Sequence, residues 1–115
     1  MKSVRVILSK EAQNAYELLN KNAKFSKVEK SLLNSINKKV ELIKENIHYG
    51  EPIAKNLFPR EYIEKYGIKN LFRIELPNYW RMLYTLTNGE SEIEIISFVL
   101  DFINHKDYNK KFGYK

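Results

Sequence analysis

The sequence of 115 residues contains no cysteine, two histidines and only two aspartates. Without cysteine there can be no disulfide bond, no thiolate nucleophile and no cysteine-based zinc site. The scarcity of histidine and aspartate also leaves few side chains from which a buried metal centre could be built. The composition therefore predicts a protein that works without a metal or any other cofactor.

Long apolar runs are missing too. No stretch approaches the roughly 20 apolar residues that span a bilayer, and the N-terminus, MKSVRVIL, lacks the apolar core and cleavage site of a signal peptide. Only 4 Gly and 3 Pro are present, and there is no repeat or low-complexity run. Hydrophobic residues make up 43%, which is enough for one core. We predict a single domain over residues 1–115, located in the cytoplasm.

The charge is positive and unevenly distributed. The formal net charge is +6, and residues 1–60 hold twice as many basic as acidic side chains, whereas residues 61–115 hold equal numbers. Such an excess favours a nucleic acid or an acidic protein as partner. Solubility alone accounts for a charge of this size equally well.

Periodicity predicts a strand and two helices in the N-terminal half. Apolar residues at every second position of residues 4–8 indicate a short strand, and Ser9 follows as the N-cap of a helix over Lys10–Asn20. A second helix is predicted over Ser26–Ile47, because its first residue has capping-box spacing with Glu29.

The C-terminal half is mainly β in character. Pro59 and Gly67 bracket a short helix over Arg60–Tyr66. Three strands follow, at Leu71–Leu76, Tyr79–Thr87 and Glu92–Ile103. The order β-α-α-(short α)-β-β-β predicts an α+β fold, in which a small, twisted, mainly antiparallel sheet carries two helices on one face.

Asn88-Gly89 is a strong signal for a two-residue hairpin turn. Such a turn would set Thr87 opposite Glu90 and, further along, Met82 opposite Ile95. One face of the hairpin then collects the apolar residues Trp80, Met82, Tyr84, Leu86, Ile93 and Ile95. Because that face suits the helices, Arg81 is expected on the opposite, outward face.

A three-residue loop over Pro77–Tyr79 keeps apolar positions opposite each other in the preceding hairpin. It places Glu75 directly across from Arg81 and Arg73 on the diagonal, at roughly 7 to 8 Å between backbones. Two arginines are thus predicted to converge on one exposed patch.

The alternation breaks after Ser97, because Phe98, Leu100 and Phe102 would continue on the arginine side and Asp101 would point to the core. A β-bulge near Ser97 would resolve this conflict, and so would burial of the strand end on both sides. The sequence leaves both open.

These residues could support RNA cleavage without a metal, in which a base, an acid and cations act on one phosphate. His105 could move the protons, Arg73 or Arg81 could bind the phosphate, and Tyr108 could stack a base or donate a proton. Tyr114 could take the role of Tyr108, and Lys110 and Lys111 would add positive charge near the phosphate.

Each residue also has a structural interpretation. The arginines could form cross-strand ion pairs with Glu75, Glu92 and Glu94, His105 could cap a turn, and the tail aromatics could pack it down. The basic second helix could simply be a solvated face. These structural readings are favoured when the residue types are considered alone.

Four segments resemble the C-terminal half of the RelE/ParE toxin superfamily of bacterial and archaeal toxin-antitoxin pairs. They are Leu71–Leu76, Tyr79–Leu86, Ile93–Leu100 and His105–Tyr108. The N-terminal strand and two helices also fit that family, so the resemblance covers nearly the whole chain. Its most recognisable part is the strand with aromatic, Arg, two apolar residues and Tyr at Trp80–Tyr84.

The resemblance implies one of two activities. The RelE branch implies a metal-independent endoribonuclease that cuts mRNA in the ribosomal A site, with Arg81 as the strand arginine and His105 and Tyr108 as the C-terminal pair. The chain departs from that pattern, because Phe72 and Ile74 replace strand lysines and His105 lies only three residues before Tyr108.

The ParE branch implies a similar fold that inhibits DNA gyrase without catalysis, and a degenerate, non-toxic binding protein is a third possibility. For either toxin branch, the resemblance implies a small antitoxin as partner, acidic where it meets the toxin. The net charge of +6 would suit such a partner.

Overall fold

A computed structural model describes residues 4–87 and 92–100, which form a five-stranded sheet with three helices. The strands are β1 (Arg5–Leu8), β2 (Glu51–Pro52), β3 (Phe72–Glu75), β4 (Trp80–Thr87) and β5 (Glu92–Leu100). The helices are α1 (Lys10–Asn22), α2 (Lys27–Glu45) and α3 (Arg60–Tyr66), with 3₁₀ turns at Lys55–Leu57 and Pro77–Tyr79.

The sheet has the order β1-β5-β4-β3-β2. Its β1–β5 pair is parallel, and the pairs β5–β4, β4–β3 and β3–β2 are antiparallel. The predicted α+β order is confirmed, and β2 is a two-residue addition at the edge of the sheet.

The helix starts lie where the capping signals predicted them. The Ser9 hydroxyl accepts a hydrogen bond from the backbone N–H of Ala12 at 3.1 Å, and Ser26 accepts one from Glu29 at 3.3 Å. Each cap satisfies an N–H group that has no partner within the helix. The α2 helix ends earlier than predicted, at Glu45, because Asn46 adopts an extended conformation.

One face of the sheet is covered by α1 and α2, as predicted. The helices contribute the buried residues Ala12, Leu19, Leu32, Ile36 and Ile43, and the sheet contributes Phe72, Ile74, Leu76, Met82, Tyr84 and Leu86. Burial of each large aliphatic side chain contributes about 1.5–3 kcal/mol, so this interface contributes strongly to stability. Among the described residues, no helix is long and apolar enough to cross a membrane.

Tyr84 joins this core to the segment that follows α2. Its ring stacks on Phe72 with centroids 5.1 Å apart, and its hydroxyl donates to the carbonyl of Ile47 at 2.9 Å. The same hydroxyl accepts a hydrogen bond from the N–H of Gly50 at 2.9 Å. A Cβ at Gly50 would lie only 2.8 Å from Tyr84 Cε1, so the close approach requires glycine. Burial raises the pKa of Tyr84.

The β3–β4 hairpin has the predicted three-residue loop. Asn78 adopts a left-handed conformation with φ 60°, which asparagine tolerates better than most residues. The N–H of Leu76 donates to the carbonyl of Trp80 at 2.8 Å. Ile74 pairs with Met82, as expected from keeping apolar residues opposite each other.

The predicted register of the β4–β5 hairpin is wrong by two residues. Thr87 pairs with Glu92 rather than Glu90, and Tyr84 pairs with Ile95 rather than Ile93. A two-residue turn at Asn88-Gly89 cannot close this register, and residues 88–91 lie outside the described part of the chain. The shift is even, so β4 keeps the same residues toward the helices.

A register shift in β5 resolves the conflict noted after Ser97. Tyr84 pairs with Ile95, but its neighbour Leu83 pairs with Ser97, so Ile96 is the extra residue of a bulge. Beyond it, Phe98 pairs with Met82 and Leu100 pairs with Trp80. Of the two alternatives that the sequence left open, the bulge is the one observed; it lies one residue before Ser97 and restores the pairing of apolar positions. Asp101 and Phe102 lie outside the described residues.

The short helix α3 covers part of the second sheet face. Its bounds match the prediction, and Gly67 ends it with φ 60°, in the left-handed region that favours glycine. Tyr62 from this helix packs with Ile68, Leu71 and Leu83 in a second, smaller core. The sheet is thus covered on both faces in this region.

A polar contact ties α3 to the start of α1. The Lys65 ammonium and the Tyr66 hydroxyl both donate to the Glu11 carboxylate, the tyrosine at 2.7 Å. The bonds from Lys65 and Tyr66 hold the pKa of Glu11 at about 2, well below its usual 4.5. The same contact raises the pKa of Lys65.

The Glu11 contact predicts that the stability of the fold depends on pH. In the unfolded chain Glu11 titrates near 4.5, so the contact contributes fully above that pH and is lost as pH falls toward 2. The thermal midpoint of Glu11→Gln should therefore lie below wild type at pH 6, and the gap should narrow toward pH 2. Glu17→Gln, the same charge change further along α1, is the control. A difference in thermal midpoint between wild type and Glu11→Gln that stays constant with pH would contradict the stabilising role assigned to the Glu11 contact.

Candidate functional site

The candidate site lies on the sheet face opposite α1 and α2, where β3 and β4 each present an arginine. Arg73 pairs in register with Leu83, and Glu75 pairs directly with Arg81. Arg73 is therefore diagonal to Arg81, as predicted. We define the arginine face as Arg73, Arg81, Glu75 and Glu51. The position of Glu51 is described below.

This face is less exposed than the sequence predicted. Leu83 and Thr85, which alternate with Arg81 along β4, are both buried. Leu83 packs in the second core beneath α3. The Thr85 hydroxyl donates to the backbone carbonyl of Asn70 at 2.7 Å. The expected open patch is thus restricted to one end of the face, where the arginines themselves are only partly accessible.

Asn70 supports this arrangement by extending the strand pairing with its side chain. Its Oδ1 accepts from the N–H of Leu86 at 2.7 Å, and its Nδ2 donates to the carbonyl of Leu86 at 3.2 Å. The side-chain amide thus pairs with both backbone groups of Leu86, which lies in β4 across from the residues that precede β3. This fixes β4 against the segment that leads into β3.

Arg73 pairs with a carboxylate that sequence reasoning missed. Its Nη2 lies 3.2 Å from Oε2 of Glu51, which is directly opposite in the β2–β3 register. The Arg73 side chain is 23% exposed and the Glu51 side chain 67%. A two-residue strand has no periodicity from which it could be recognised. The only available signal was the change from helix to extended chain after Tyr49-Gly50.

Arg81 has a looser carboxylate partner. Its Nη2 lies 4.0 Å from Oε1 of Glu75, at the limit of an ion pair. The arginine side chain is 20% exposed, whereas that of the glutamate is 76% exposed. Ion pairs with such exposed partners contribute about 0–1 kcal/mol, so the carboxylate can move away at little cost.

The arrangement is suited to binding a phosphate. Two guanidiniums with limited freedom lie on adjacent strands, and each carries donors that match the oxygens of a phosphate. Their carboxylate partners are exposed and can be displaced. Among the described residues, no group of three or more His, Asp or Glu could hold a metal ion.

The other predicted site residues lie outside the described part of the chain. They are His105, Tyr108, Lys110, Lys111 and Tyr114. Their positions relative to Arg81 stay predictions. Of the two histidines in the sequence, His48 lies in the described part of the chain and contacts Phe72 edge to face, with ring centroids 5.7 Å apart.

Comparison by sequence gives no relative: no family model matches the chain, and no curated protein matches it. Comparison of structures finds similar proteins. The fold is similar to a YoeB/ParE toxin from Agrobacterium tumefaciens, with TM-score 0.61 and 12% identity, covering 84% of this chain and 96% of that one.

Two further toxins have similar structures. The YoeB dimer from Staphylococcus aureus gives TM-score 0.57 and 18% identity over 84% of this chain and 95% of that one. A form of E. coli toxin RelE with two arginines replaced, in the free state, gives TM-score 0.55 and 14% identity, covering 96% of this chain and 95% of that one. Each toxin is matched over nearly its full length, so the chain has the fold of the RelE/ParE toxins.

Proposed function

We propose that this protein is the toxin of a toxin-antitoxin pair, and that it cleaves mRNA on the ribosome without a metal ion. The observation that carries the proposal is the pair of partly buried arginines, Arg73 and Arg81, on adjacent strands of a RelE-like fold. A fold by itself does not specify an activity. The arginines supply the chemistry that favours the nuclease over a purely structural role.

In this proposal, Arg81 and Arg73 bind the scissile phosphate and stabilise the charge that develops as the 2′-oxygen attacks phosphorus. The 2′-hydroxyl loses its proton, a 2′,3′-cyclic phosphate forms, and the 5′-oxygen leaves with a proton from an acid. His105 and Tyr108 are the proposed groups for these proton transfers. Glu51 is a second candidate base, because its exposed carboxylate lies beside Arg73.

The remaining predicted residues are assigned to substrate binding. Lys110 and Lys111 would attract the RNA backbone, and Tyr114 would stack against a base. A stacked aromatic side chain holds single-stranded RNA with little dependence on sequence. These contacts would orient the cleaved bond against the arginine face.

The proposal is tested by expression in bacteria. Wild type and the double variant Arg81→Ala, His105→Ala are induced from the same promoter, and the 5′ ends of cellular mRNA are mapped. The wild type should stop growth and create new 5′ ends within coding regions, and the double variant should do neither. Equal growth and identical ends in the two strains would refute the nuclease.

A non-catalytic toxin acting on DNA gyrase is the second candidate. The carboxylate partners of both arginines, Glu51 and Glu75, favour a protein that does not bind phosphate there, whether this toxin or a degenerate, non-toxic relative, since paired guanidiniums bind phosphate less readily. Purified protein that blocks DNA supercoiling by gyrase and leaves ribosome-bound mRNA intact would support it.

The proposal includes an antitoxin as partner. Exposed apolar side chains lie near the turn between α1 and α2, namely Leu18, Phe25 and Val28, and Phe25 is 87% exposed. Lysines at positions 21, 24, 27 and 30 share this region. Exposed apolar side chains rimmed by positive charge suit an acidic segment with apolar anchors, which is the chemistry that we propose for the antitoxin.

A further inference from the structure

Glu75 has a place in the candidate site that the proposed nuclease activity does not explain. It lies directly opposite Arg81 in the sheet, at the end of β3, with its side chain largely in solvent. We propose that Glu75 is a built-in competitor of the RNA phosphate: it holds Arg81 in the free protein and is displaced when RNA binds. This inference rests on the proposed function, because it requires RNA on the arginine face.

The distance between the two groups supports exchange rather than permanent pairing. A charge-assisted hydrogen bond from a guanidinium to a carboxylate or phosphate measures roughly 2.7–2.9 Å. Arg81 Nη2 and Glu75 Oε1 are 4.0 Å apart, so the pair attracts through charge but makes no short hydrogen bond between these atoms. A phosphate oxygen could approach the same guanidinium more closely than Glu75 Oε1 does.

The exposures of the two side chains also favour exchange. Arg81 is largely buried, with 20% of its side chain accessible, while 76% of the Glu75 side chain is accessible. Displacement therefore moves the glutamate into water, where its charge stays solvated, and leaves the arginine in place. The binding group is already positioned, so the bound phosphate does not have to order it.

The second arginine offers a comparison within the same face. Arg73 and Glu51 are 3.2 Å apart, a closer pair with a carboxylate that is 67% exposed. The looser pair should be exchanged more readily, so Arg81 is expected to bind the phosphate first. Glu75 thereby weakens the resting affinity for RNA and any other polyanion, and discriminates against ligands that cannot displace it.

The consequence is measurable as a gain of affinity. Replacing Glu75 with glutamine keeps the shape of the side chain and removes the competing charge. The loss of an exposed ion-pair partner, together with its repulsion of a phosphate, should tighten RNA binding about three- to tenfold. The gain should require Arg81, because it comes from releasing that guanidinium.

The test uses the fluorescently labelled full chain and purified ribosomes that carry a short mRNA with 2′-O-methyl groups, which cannot be cleaved by attack of the 2′-oxygen. Dissociation constants are measured by fluorescence anisotropy for wild type, Glu75→Gln, Arg81→Ala and the double variant. Glu64→Gln is the matched control. It makes the same charge change at another exposed glutamate that pairs with an arginine, Arg60, at 3.7 Å.

Glu75→Gln should bind RNA three- to tenfold more tightly than Glu64→Gln, and the gain should disappear when Arg81 is alanine. If Arg81→Ala weakens binding but Glu75→Gln matches Glu64→Gln, the competitor role is refuted and the RNA site stands. A gain from Glu75→Gln that persists in Arg81→Ala refutes it as well. If wild type does not bind, or Arg81→Ala binds as wild type does, the proposed RNA site fails and the inference fails with it.

Discussion

Replacing Arg81 with alanine is expected to lower the rate of ribosome-dependent mRNA cleavage by about 10²- to 10³-fold. That is the usual cost of removing one donor that stabilises charge in a transition state. Arg81 is positioned for this role because its side chain is mostly buried and lies opposite Glu75 in the sheet. The measurement is single-turnover cleavage of a short mRNA on purified ribosomes.

Two further variants make this result specific. Arg60→Ala removes a highly exposed arginine of α3 from outside the arginine face and should cleave at the wild-type rate. Arg81→Lys should recover only part of the activity, because lysine keeps the charge but lacks the fork that binds two phosphate oxygens. Thermal midpoints of all variants separate a lost donor from lost folding. Equal rates for Arg81→Ala and Arg60→Ala would exclude Arg81 from the reaction.

The second large effect is expected on stability, from Tyr84→Phe. The change removes one oxygen from a fully buried side chain and leaves the N–H of Gly50 and the carbonyl of Ile47 without that partner. Each buried polar group left unsatisfied costs about 1–3 kcal/mol. We expect the free energy of unfolding, measured in urea, to fall by about 2–4 kcal/mol, within the sum of these two costs.

Tyr49→Phe is the control for this change. Its hydroxyl accepts from Lys39 at 3.1 Å on the surface, where water can replace it. Its unfolding free energy should stay within about 0.5 kcal/mol of wild type. Gly50→Ala should destabilise the fold independently, since its Cβ would meet the Tyr84 ring. Equal losses of unfolding free energy for Tyr84→Phe and Tyr49→Phe would show that the buried hydrogen bonds of Tyr84 stabilise the fold no more than the surface contact of Tyr49 does.

Elements with a local physical cause were predicted well. Ser9 and Ser26 cap helices because a side-chain oxygen can reach an N–H three residues ahead, and Gly67 ends α3 because it adopts a positive φ readily. The β3–β4 register was also predictable. Only one loop length kept apolar residues opposite each other, and the loop and both strands lie within 16 residues, Phe72–Thr87.

The register of β4 and β5 was predicted wrongly because it depended on one local turn signal. Asn88-Gly89 suggested a two-residue turn, but the pairing of Thr87 with Glu92 excludes it. Alternation could not choose between these registers, because they differ by two residues and keep every side chain of β4 on the same face. The pairing of the folded sheet, in which Thr87 lies opposite Glu92, shows which of the two registers forms.

For the candidate site, the sequence by itself determined that Arg73 and Arg81 share a face with Glu75, because alternation along two neighbouring strands depends only on nearby residues. Only the tertiary structure decided that Glu51 lies beside Arg73, that Leu83 is buried beneath α3, and that both arginines are partly enclosed. These features depend on contacts between segments far apart in the chain. Such contacts are set by how whole elements pack, which no local pattern of residues specifies.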